Sequence, residues 1–193
     1  MNLAEIKTAV EKAVPGVVLK PVRDSLLIEN PVDLTKVAKF LKESELFRLD
    51  YLCSVTGVDY LQYLESVYHL YSMEKKTGPA VFRVRVKRES PRIPSLVSIY
   101  RGAEFQEREA YDMYGIVYEG HPDLRRIFMW EGFEGFPMRK DYIQEDSETL
   151  EADDVEWLER HGAKVPEEMR KKAEELKVQG KRAVAEKTGK STE

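Results

Sequence analysis

Residues 47–63, FRLDYLCSVTGVDYLQY, are rich in aromatic and β-branched side chains, which favour strands over helices. Two similar segments follow, SVYHLYSM at 66–73 and AVFRVRVKR at 80–88, and KKTGP at 75–79 has the composition of a turn. In the last segment apolar and basic residues alternate, so one face of the strand is apolar and the other is basic. The sequence therefore predicts three consecutive strands, with a break in the first near Gly57.

Two helical patterns precede these strands, separated by a short apolar run, SLLIE at 25–29, which is typical of a strand. The first pattern follows a capping residue, Asn2, and ends at a Pro-Gly pair. The second has apolar residues at i, i+3, i+4 and i+7 from Leu34, with Asp33 as the predicted N-cap. The order helix, strand, helix, strands predicts an α+β domain in which a mixed or antiparallel sheet carries helices on one side.

The rest of the chain changes character twice. The segment SPRIPS interrupts the strand pattern with two prolines, and a helix-prone stretch then ends at Gly115, a residue suited to a helix C-terminus. Beyond it glycine and proline recur, which predicts an irregular chain that lies across a surface. We therefore divide the sequence into an α+β domain at 1–90, a segment at 91–142, and a C-terminal segment at 143–193. The last is acidic and then rich in Lys and Glu, which predicts an extended, partly helical chain with a disordered end.

Composition limits the possible classes of function. The chain has 193 residues and a net charge of −4, so general attraction to nucleic acid or anionic lipid is not expected. Its single cysteine, Cys53, cannot form an intrachain disulfide and cannot supply the several thiolates of an iron–sulfur cluster. No apolar run approaches the roughly 20 residues that cross a bilayer. We expect a protein that is soluble by itself and reaches a membrane only through partners.

The most unusual stretch is EFQEREAYDMYGIVYEGHPDLRRI at 104–127, with nine charged and four aromatic side chains in 24 residues. Crowded ionisable groups cost free energy unless something neutralises them. On a helix Arg108 would lie four residues from both Glu104 and Asp112, so we predict that it is held between two acids. The content of aromatic, Arg and Met residues favours a protein–protein interface over an active site. In such an interface, neighbouring chains of the assembly would neutralise the charges.

Other kinds of site lack the companion residues that they need. A hard cation could bind Glu107, Glu109 and Asp112, but three carboxylates fall short of its full oxygen shell. A free-standing hydrolase could use Glu107 or Asp112 as general base with His121. A nucleic-acid module could use the basic face of the strand at 80–88, although its aromatic residue lies on the opposite face. These alternatives stay open, and we predict no catalytic, cofactor-binding or metal-binding residue.

Residues 107–127, EREAYDMYGIVYEGHPDLRRI, and 137–142, PMRKDY, resemble the signature of the thirty-kilodalton, C-type subunit of respiratory complex I, the NADH-quinone oxidoreductase. TGVDYL at 56–61 and the run SPRIPSLVSIYRGAEFQERE at 90–109 fit the same family. The resemblance implies a cofactor-free structural subunit of the peripheral arm, on the cytoplasmic side of the membrane. It also implies an α+β domain with an extended C-terminal segment that lies on neighbouring subunits.

The resemblance further implies partners and site residues. The principal partner is the large, D-type subunit, which helps to shape the quinone cavity and is related to hydrogenase large subunits. Contacts are also expected with the B-type subunit that carries the terminal iron–sulfur cluster and with the ferredoxin-like, I-type subunit. Position in the family signature assigns partner-interface or structural roles to Glu107, Arg108, Glu109, Asp112, His121, Arg125, Arg126, Arg139, Lys140 and Asp141.

The sequence departs from the family pattern after the RKDY motif, where Ile143 stands at a position that is commonly proline. Related subunits occur in membrane-bound hydrogenases, in sulfur reductases and in F420-linked or ferredoxin-linked complexes. The resemblance therefore implies the family and leaves the electron donor, the electron acceptor and the specific complex open.

Overall fold

The computed structural model describes residues 2–130 and 132–142, together with seven helical positions further on: 155, 159, 160, 167, 170, 171 and 174. The chain divides into two compact units, Met1–Tyr142 and Ile143–Glu193. In the second unit Arg170 Nη2 lies 2.5 Å from Glu159 Oε1, which is an ion pair between helical residues. The predicted disordered end falls outside the described residues.

The first unit contains helices and strands in the following order: α1 Leu3–Ala13, β1 Leu19–Val22, β2 Ser25–Ile28, α2 Leu34–Glu43, β3 Tyr51–Asp59, β4 Tyr63–Ser72, β5 Thr77–Lys87, β6 Arg92–Pro94, α3 Ala103–Tyr114 and β7 Val117–Glu119. The larger sheet has the strand order β1-β2-β5-β4-β3, and β6 pairs with β7 separately. Pairing is antiparallel except between β2 and β5 and between β6 and β7. The predicted α+β class and mixed sheet are confirmed.

The hydrophobic core lies between the apolar face of the larger sheet and the helices. Helix α2 buries the four apolar residues of its predicted stripe, and α1 buries Ile6 and Val10. On β5 Phe82 and Val84 are buried in the same cluster, as their alternation with basic residues predicts. Residues of α3 join this cluster as well, so all three helices pack against one face of the sheet.

Strand β3 runs without interruption through Gly57, where the sequence predicted a break. A Cβ atom at Gly57 would lie 2.5 Å from Cδ2 of Tyr114, so the glycine permits close approach of α3 to the strand. The irregularity of β3 lies instead at the register shift between Leu52 and Ser54. The β4–β5 turn is also shorter than predicted, since it covers only residues 73–76.

Two segment boundaries differ from the sequence prediction. Asp33 makes no capping hydrogen bond to α2, because a short 3-10 turn precedes the helix and Asn30 caps that turn through the N–H of Val32. Asp33 pairs with Lys36 instead, at 2.8 Å. The proline-containing SPRIPS segment is not a simple break, since its middle forms the short strand β6. In contrast, Asn2 caps α1 as predicted and accepts the N–H of Ala4 at 3.0 Å.

Candidate interaction site

Helix α3 contains the first half of the charged stretch, and it contacts other parts of the first unit on two sides. Toward β3, Gln106 Oε1 accepts the backbone N–H of Val55 at 2.5 Å. Toward the irregular chain that follows β7, the carbonyl of Met113 accepts the N–H of Met138 at 3.1 Å. The helix therefore joins the sheet to the segment at 125–139.

Asp112 is the main attachment point of the segment that follows β7. Its buried Oδ2 accepts three consecutive backbone N–H groups, from Ile127 at 3.0 Å, Phe128 at 2.7 Å and Met129 at 3.0 Å. Its Oδ1 accepts Nη1 of Arg126 at 2.9 Å. Burial by itself would raise the pKa of this carboxyl, but the three N–H groups and the guanidinium lower it below its ordinary value.

Arg108 is not held between the acids four residues away, so the predicted clamp is wrong. Its Nε donates to the carbonyl of Arg125 at 3.1 Å and its Nη2 to that of Arg126 at 3.3 Å. The guanidinium also lies over the ring of Phe105, 5.6 Å from its centroid, and 3.9 Å from Asp123. Pairs along one helix contribute only about 0.2–0.5 kcal/mol, so backbone carbonyls from a closely packed segment prevail over them.

Glu107 is fully buried on another side of α3. Its Oε2 accepts the hydroxyl of Ser95 at 2.6 Å and its Oε1 accepts the N–H of Leu96 at 2.7 Å. Burial raises the pKa of Glu107 to about 7, although both hydrogen bonds act in the opposite direction. Its neighbour Glu109 is exposed. The three acids considered for a cation thus point in different directions, which does not suit shared coordination.

A second ionic cluster fastens residues 139–142 to the sheet. Asp59, at the end of β3, pairs with Arg88 and accepts the N–H groups of Lys140 and Leu61, at 2.8 and 2.7 Å. Arg88 also donates to Asp141, with 3.1 Å between Nε and Oδ2. Burial would raise the pKa of Asp59, but the guanidinium and the two N–H groups lower it to about 2. Lys140, through its backbone N–H, and Asp141, through its carboxylate, therefore help to attach this segment to the sheet.

His121 and Arg139 contact backbone carbonyls of α3. His121 Nε2 lies 2.9 Å from the carbonyl of Glu104, and Nδ1 accepts the N–H of Asp123 at 3.0 Å, which fits the tautomer protonated on Nε2. Arg139 Nε donates to the carbonyl of Tyr114 at 2.6 Å. With both imidazole nitrogens engaged and Glu107 sealed in the core, these contacts do not form the general-base pair of a hydrolase.

The basic face of β5 is occupied by an internal acid. Glu65 is fully buried, with Oε1 at 2.6 Å from Arg83 Nη1 and Oε2 at 2.8 Å from Arg85 Nε. Arg83 also donates to Ser25 Oγ at 2.8 Å. The guanidinium groups that a nucleic acid would need are therefore already paired within the sheet, which disfavours that alternative.

The sequence analysis missed the exposed aromatic surface and the attachment at Asp59. Phe105 is 64%, Phe128 60% and Trp130 68% exposed, and we call these three residues the aromatic surface. Phe128 belongs to the backbone turn that Asp112 holds, and Phe105 lies beneath Arg108. The run Phe-Met-Trp at 128–130 was the available signal, because apolar residues of this size in an irregular segment need either a core or a partner.

The described residues contain neither a candidate metal centre nor a membrane-spanning helix. No group of three or more His, Cys, Asp and Glu side chains in that part of the chain could hold a metal ion. Nor is any helix there both long and apolar enough to pass through a bilayer.

The end of α3 provides a test of how closely the later segment packs. Gly115 has φ of +72°, and a Cβ there would lie 2.5 Å from the ring of Phe136, whereas Gly120 has φ of +83° with no atom within 4 Å. We expect Gly115→Ala to lower the free energy of unfolding by about 3 kcal/mol, from backbone strain plus steric overlap. Gly120→Ala introduces backbone strain without steric overlap and should lower the free energy of unfolding by about 1 kcal/mol. Equal losses in urea unfolding would contradict the described packing.

Comparison with known proteins identifies the family. The sequence profile described as "Respiratory-chain NADH dehydrogenase, 30 Kd subunit" matches residues 28–148. A C-type subunit of the NADH-quinone oxidoreductase of Rhizobium meliloti (strain 1021) is 48% identical over 118 residues, covering 58% of this chain and 62% of that protein. The C-type subunit of the same enzyme from Chloroherpeton thalassium (strain ATCC 35110 / GB-78) is 40% identical over 142 residues, covering 72% of this chain and 59% of that protein.

The matches span less than two thirds of these relatives' own length. Among solved structures, a chain of the membrane-bound sulfane sulfur reductase, an archaeal respiratory membrane complex, has a TM-score of 0.58 at 23% identity. The likeness covers 85% of this chain and 93% of that one, and it concerns the fold. The charged helix, the attached segment and the profile match lead to one conclusion: the chain belongs to the family of the 30 kDa subunit of respiratory-chain NADH dehydrogenase.

Proposed function

We propose that this chain is a non-catalytic structural subunit of the peripheral arm of a complex I-like oxidoreductase of the NADH-quinone type. Its partner is the large, D-type subunit, which it holds against the B-type subunit with the terminal iron–sulfur cluster and the ferredoxin-like, I-type subunit. It binds no cofactor, and it associates with the cytoplasmic side of the membrane through these partners. The identity to C-type subunits of NADH-quinone oxidoreductases supports this type of complex.

The main support for this proposal is that the aromatic surface is exposed although the backbone beneath part of it is fixed. Asp112 fixes the backbone at 127–129, and Phe128 still leaves 60% of its surface exposed. Large exposed aromatic side chains on fixed backbone are typical of protein–protein hot spots. The buried ionic groups Arg108 and Asp112 have partners inside the chain, so the neutralisation by sister chains that the sequence predicted is not needed for them.

The interface is therefore assigned to the aromatic surface with an exposed charged border. Glu109, Arg125 and Lys140 are exposed and supply that border. Arg108 and Asp112 act from inside, since they hold the backbone that carries the surface, whereas Glu107 is buried on another side of α3. This division fits the usual anatomy of an interface, in which aromatic residues form the centre and charged residues the rim.

The alternative is the equivalent subunit of a membrane-bound hydrogenase, a sulfur reductase or an F420-linked or ferredoxin-linked complex. This alternative is supported by the fold that the chain shares with a chain of the sulfane sulfur reductase. Affinity purification of the tagged chain from solubilised membranes, followed by mass spectrometry, distinguishes the two. Flavin- and nucleotide-binding partners support the NADH-quinone type, whereas a partner with nickel-binding cysteines indicates a hydrogenase.

The aromatic surface gives a direct prediction about assembly. We expect the double variant Phe128→Ser, Trp130→Ser to recover at least tenfold less large subunit in that purification, because each hot-spot side chain contributes about 2 kcal/mol or more to binding. The free energy of unfolding should change little, since both side chains are exposed. Leu46→Ser is the matched control, as Leu46 is 66% exposed and lies before β3, away from this segment. Undiminished recovery in the double variant would exclude this surface as the interface.

A further inference from the structure

Glu107 lies in a polar region of the core that the proposed function does not use. It belongs to α3, and its hydrogen-bond partners, Ser95 and Leu96, belong to the loop between β6 and α3. Both partners are neutral, and Glu107 makes no ion pair within the described parts of the chain. A buried carboxylate without a cation is strongly disfavoured relative to the neutral acid.

The groups around this carboxyl come from each element packed on it. Tyr118 on β7 and Tyr68 on β4 are the titratable groups that interact with it electrostatically, and both are neutral phenols. Ser66 Oγ lies 2.9 Å from Tyr118 Oη, and Tyr68 Oη makes no hydrogen bond with the residues that the structure describes. On α3 itself, the adjacent Arg108 donates to backbone carbonyls of the later segment. Nothing in this group compensates a negative charge at Glu107.

Glu107 can keep both hydrogen bonds in either protonation state, but the donor and acceptor of its bond to Ser95 exchange roles. As the neutral acid, Glu107 donates its Oε2 proton to Ser95 Oγ and still accepts the N–H of Leu96 at Oε1. As the carboxylate, it accepts both groups, and its proton has gone to solvent. The serine hydroxyl can rotate to serve either case, so the loop contact forms in both states while the buried charge exists in only one.

We propose that Glu107 is a proton-dependent latch between α3 and the loop that joins β6 to α3, closed by the neutral acid and loosened by the carboxylate. The loop also carries Tyr100, whose hydroxyl donates to the carbonyl of Leu49 at 2.7 Å. Loosening the latch therefore changes how firmly the start of α3 is held to the chain before β3.

The sign of the pH dependence follows from the raised pKa. An exposed Glu has a pKa near 4.5, and Glu107 in the closed state has one of about 7. Between these values the closed state holds a proton that the open state has released, so closing is most favourable below pH 4.5. The advantage declines as the pH rises toward 7 and is constant above that value.

Hydrogen exchange of the Leu96 amide in the full chain tests the latch, because that N–H donates directly to Glu107. After correction for intrinsic exchange, its opening constant should rise by up to about tenfold per pH unit between pH 5 and 7. Glu107→Gln, which keeps both hydrogen bonds without a titrating group, should remove this dependence. Glu109→Gln, on the exposed side of the same helix, should retain it.

A pH dependence that persists in Glu107→Gln overturns the proposal. If that variant fails to fold, the carboxyl carbons of the unsubstituted chain, labelled with carbon-13 at Glu, can be titrated by NMR. One Glu carboxyl that titrates with a midpoint pH clearly above the ordinary Glu pKa of about 4.3 supports the latch. If all of them titrate in the ordinary range, Glu107 has no retained proton and the latch is excluded.

Discussion

Replacing Asp112 by alanine should lower the free energy of unfolding by about 3–5 kcal/mol, because it leaves a partly buried guanidinium without its carboxylate. Arg126, whose side chain is 18% exposed, would retain only backbone carbonyl partners, at position 112 and at Gly135, and three consecutive N–H groups would lose their acceptor. Urea unfolding measures the loss. Asp112→Asn should lose less, since its amide oxygen still accepts hydrogen bonds while the charge is removed.

The matched control for Asp112 is Glu109→Ala, which removes an exposed acid from the same helix. It should change the free energy of unfolding by no more than about 0.5 kcal/mol. If Asp112→Ala were as mild as this control, the three N–H bonds would not be the attachment of the aromatic surface. Binding by partner subunits would then have to order the segment at 127–129.

Replacing Arg88 by alanine should lower the free energy of unfolding by about 3 kcal/mol near neutral pH, because Asp59 would stay buried without its cation. The wild-type interaction should also give a distinct acid dependence. Because the folded pKa of Asp59 is lowered to about 2, its stabilisation is complete above the ordinary pKa of 3.8 and is lost as the pH falls toward 2. Wild type and variant should therefore converge in stability between pH 4 and 2.

Arg92→Ala is the control for Arg88, since Arg92 pairs with Glu119 at 3.3 Å and both side chains are more than half exposed. Exposed pairs of this kind contribute between about 0 and 1 kcal/mol. Parallel acid profiles for wild type and Arg88→Ala would show that Asp59 does not depend on this guanidinium.

The fold was largely predictable because its signals are local. The cap at Asn2, the apolar stripe of α2 and the C-terminal glycine of α3 are each decided by residues within one or two turns. The errors arose where a distant residue sets the local structure. Gly57 resembles a strand break, but Tyr114 of α3 packs directly over it and the strand continues.

The pairing of charges could not be derived from spacing for the same reason. Helical spacing places Arg108 near Asp112, yet Asp112 accepts bonds from residues 14 to 17 positions later in the chain. Asp59 accepts the N–H of Lys140, which is 81 positions away. Such partners depend on the path of an irregular segment, which periodicity does not describe. The sequence singled out these residues, while only the structure shows which of them are bonded inside the chain and which are exposed.

We propose that this chain positions other subunits and performs no chemistry itself. The most direct measurement is NADH-quinone turnover divided by the amount of assembled complex, in membranes containing only the Phe128→Ser, Trp130→Ser chain. We expect the amount of complex to fall at least tenfold while turnover per assembled complex stays within about twofold of wild type. Full assembly with turnover lost would exclude a purely structural role, because it would place this surface in the reaction itself.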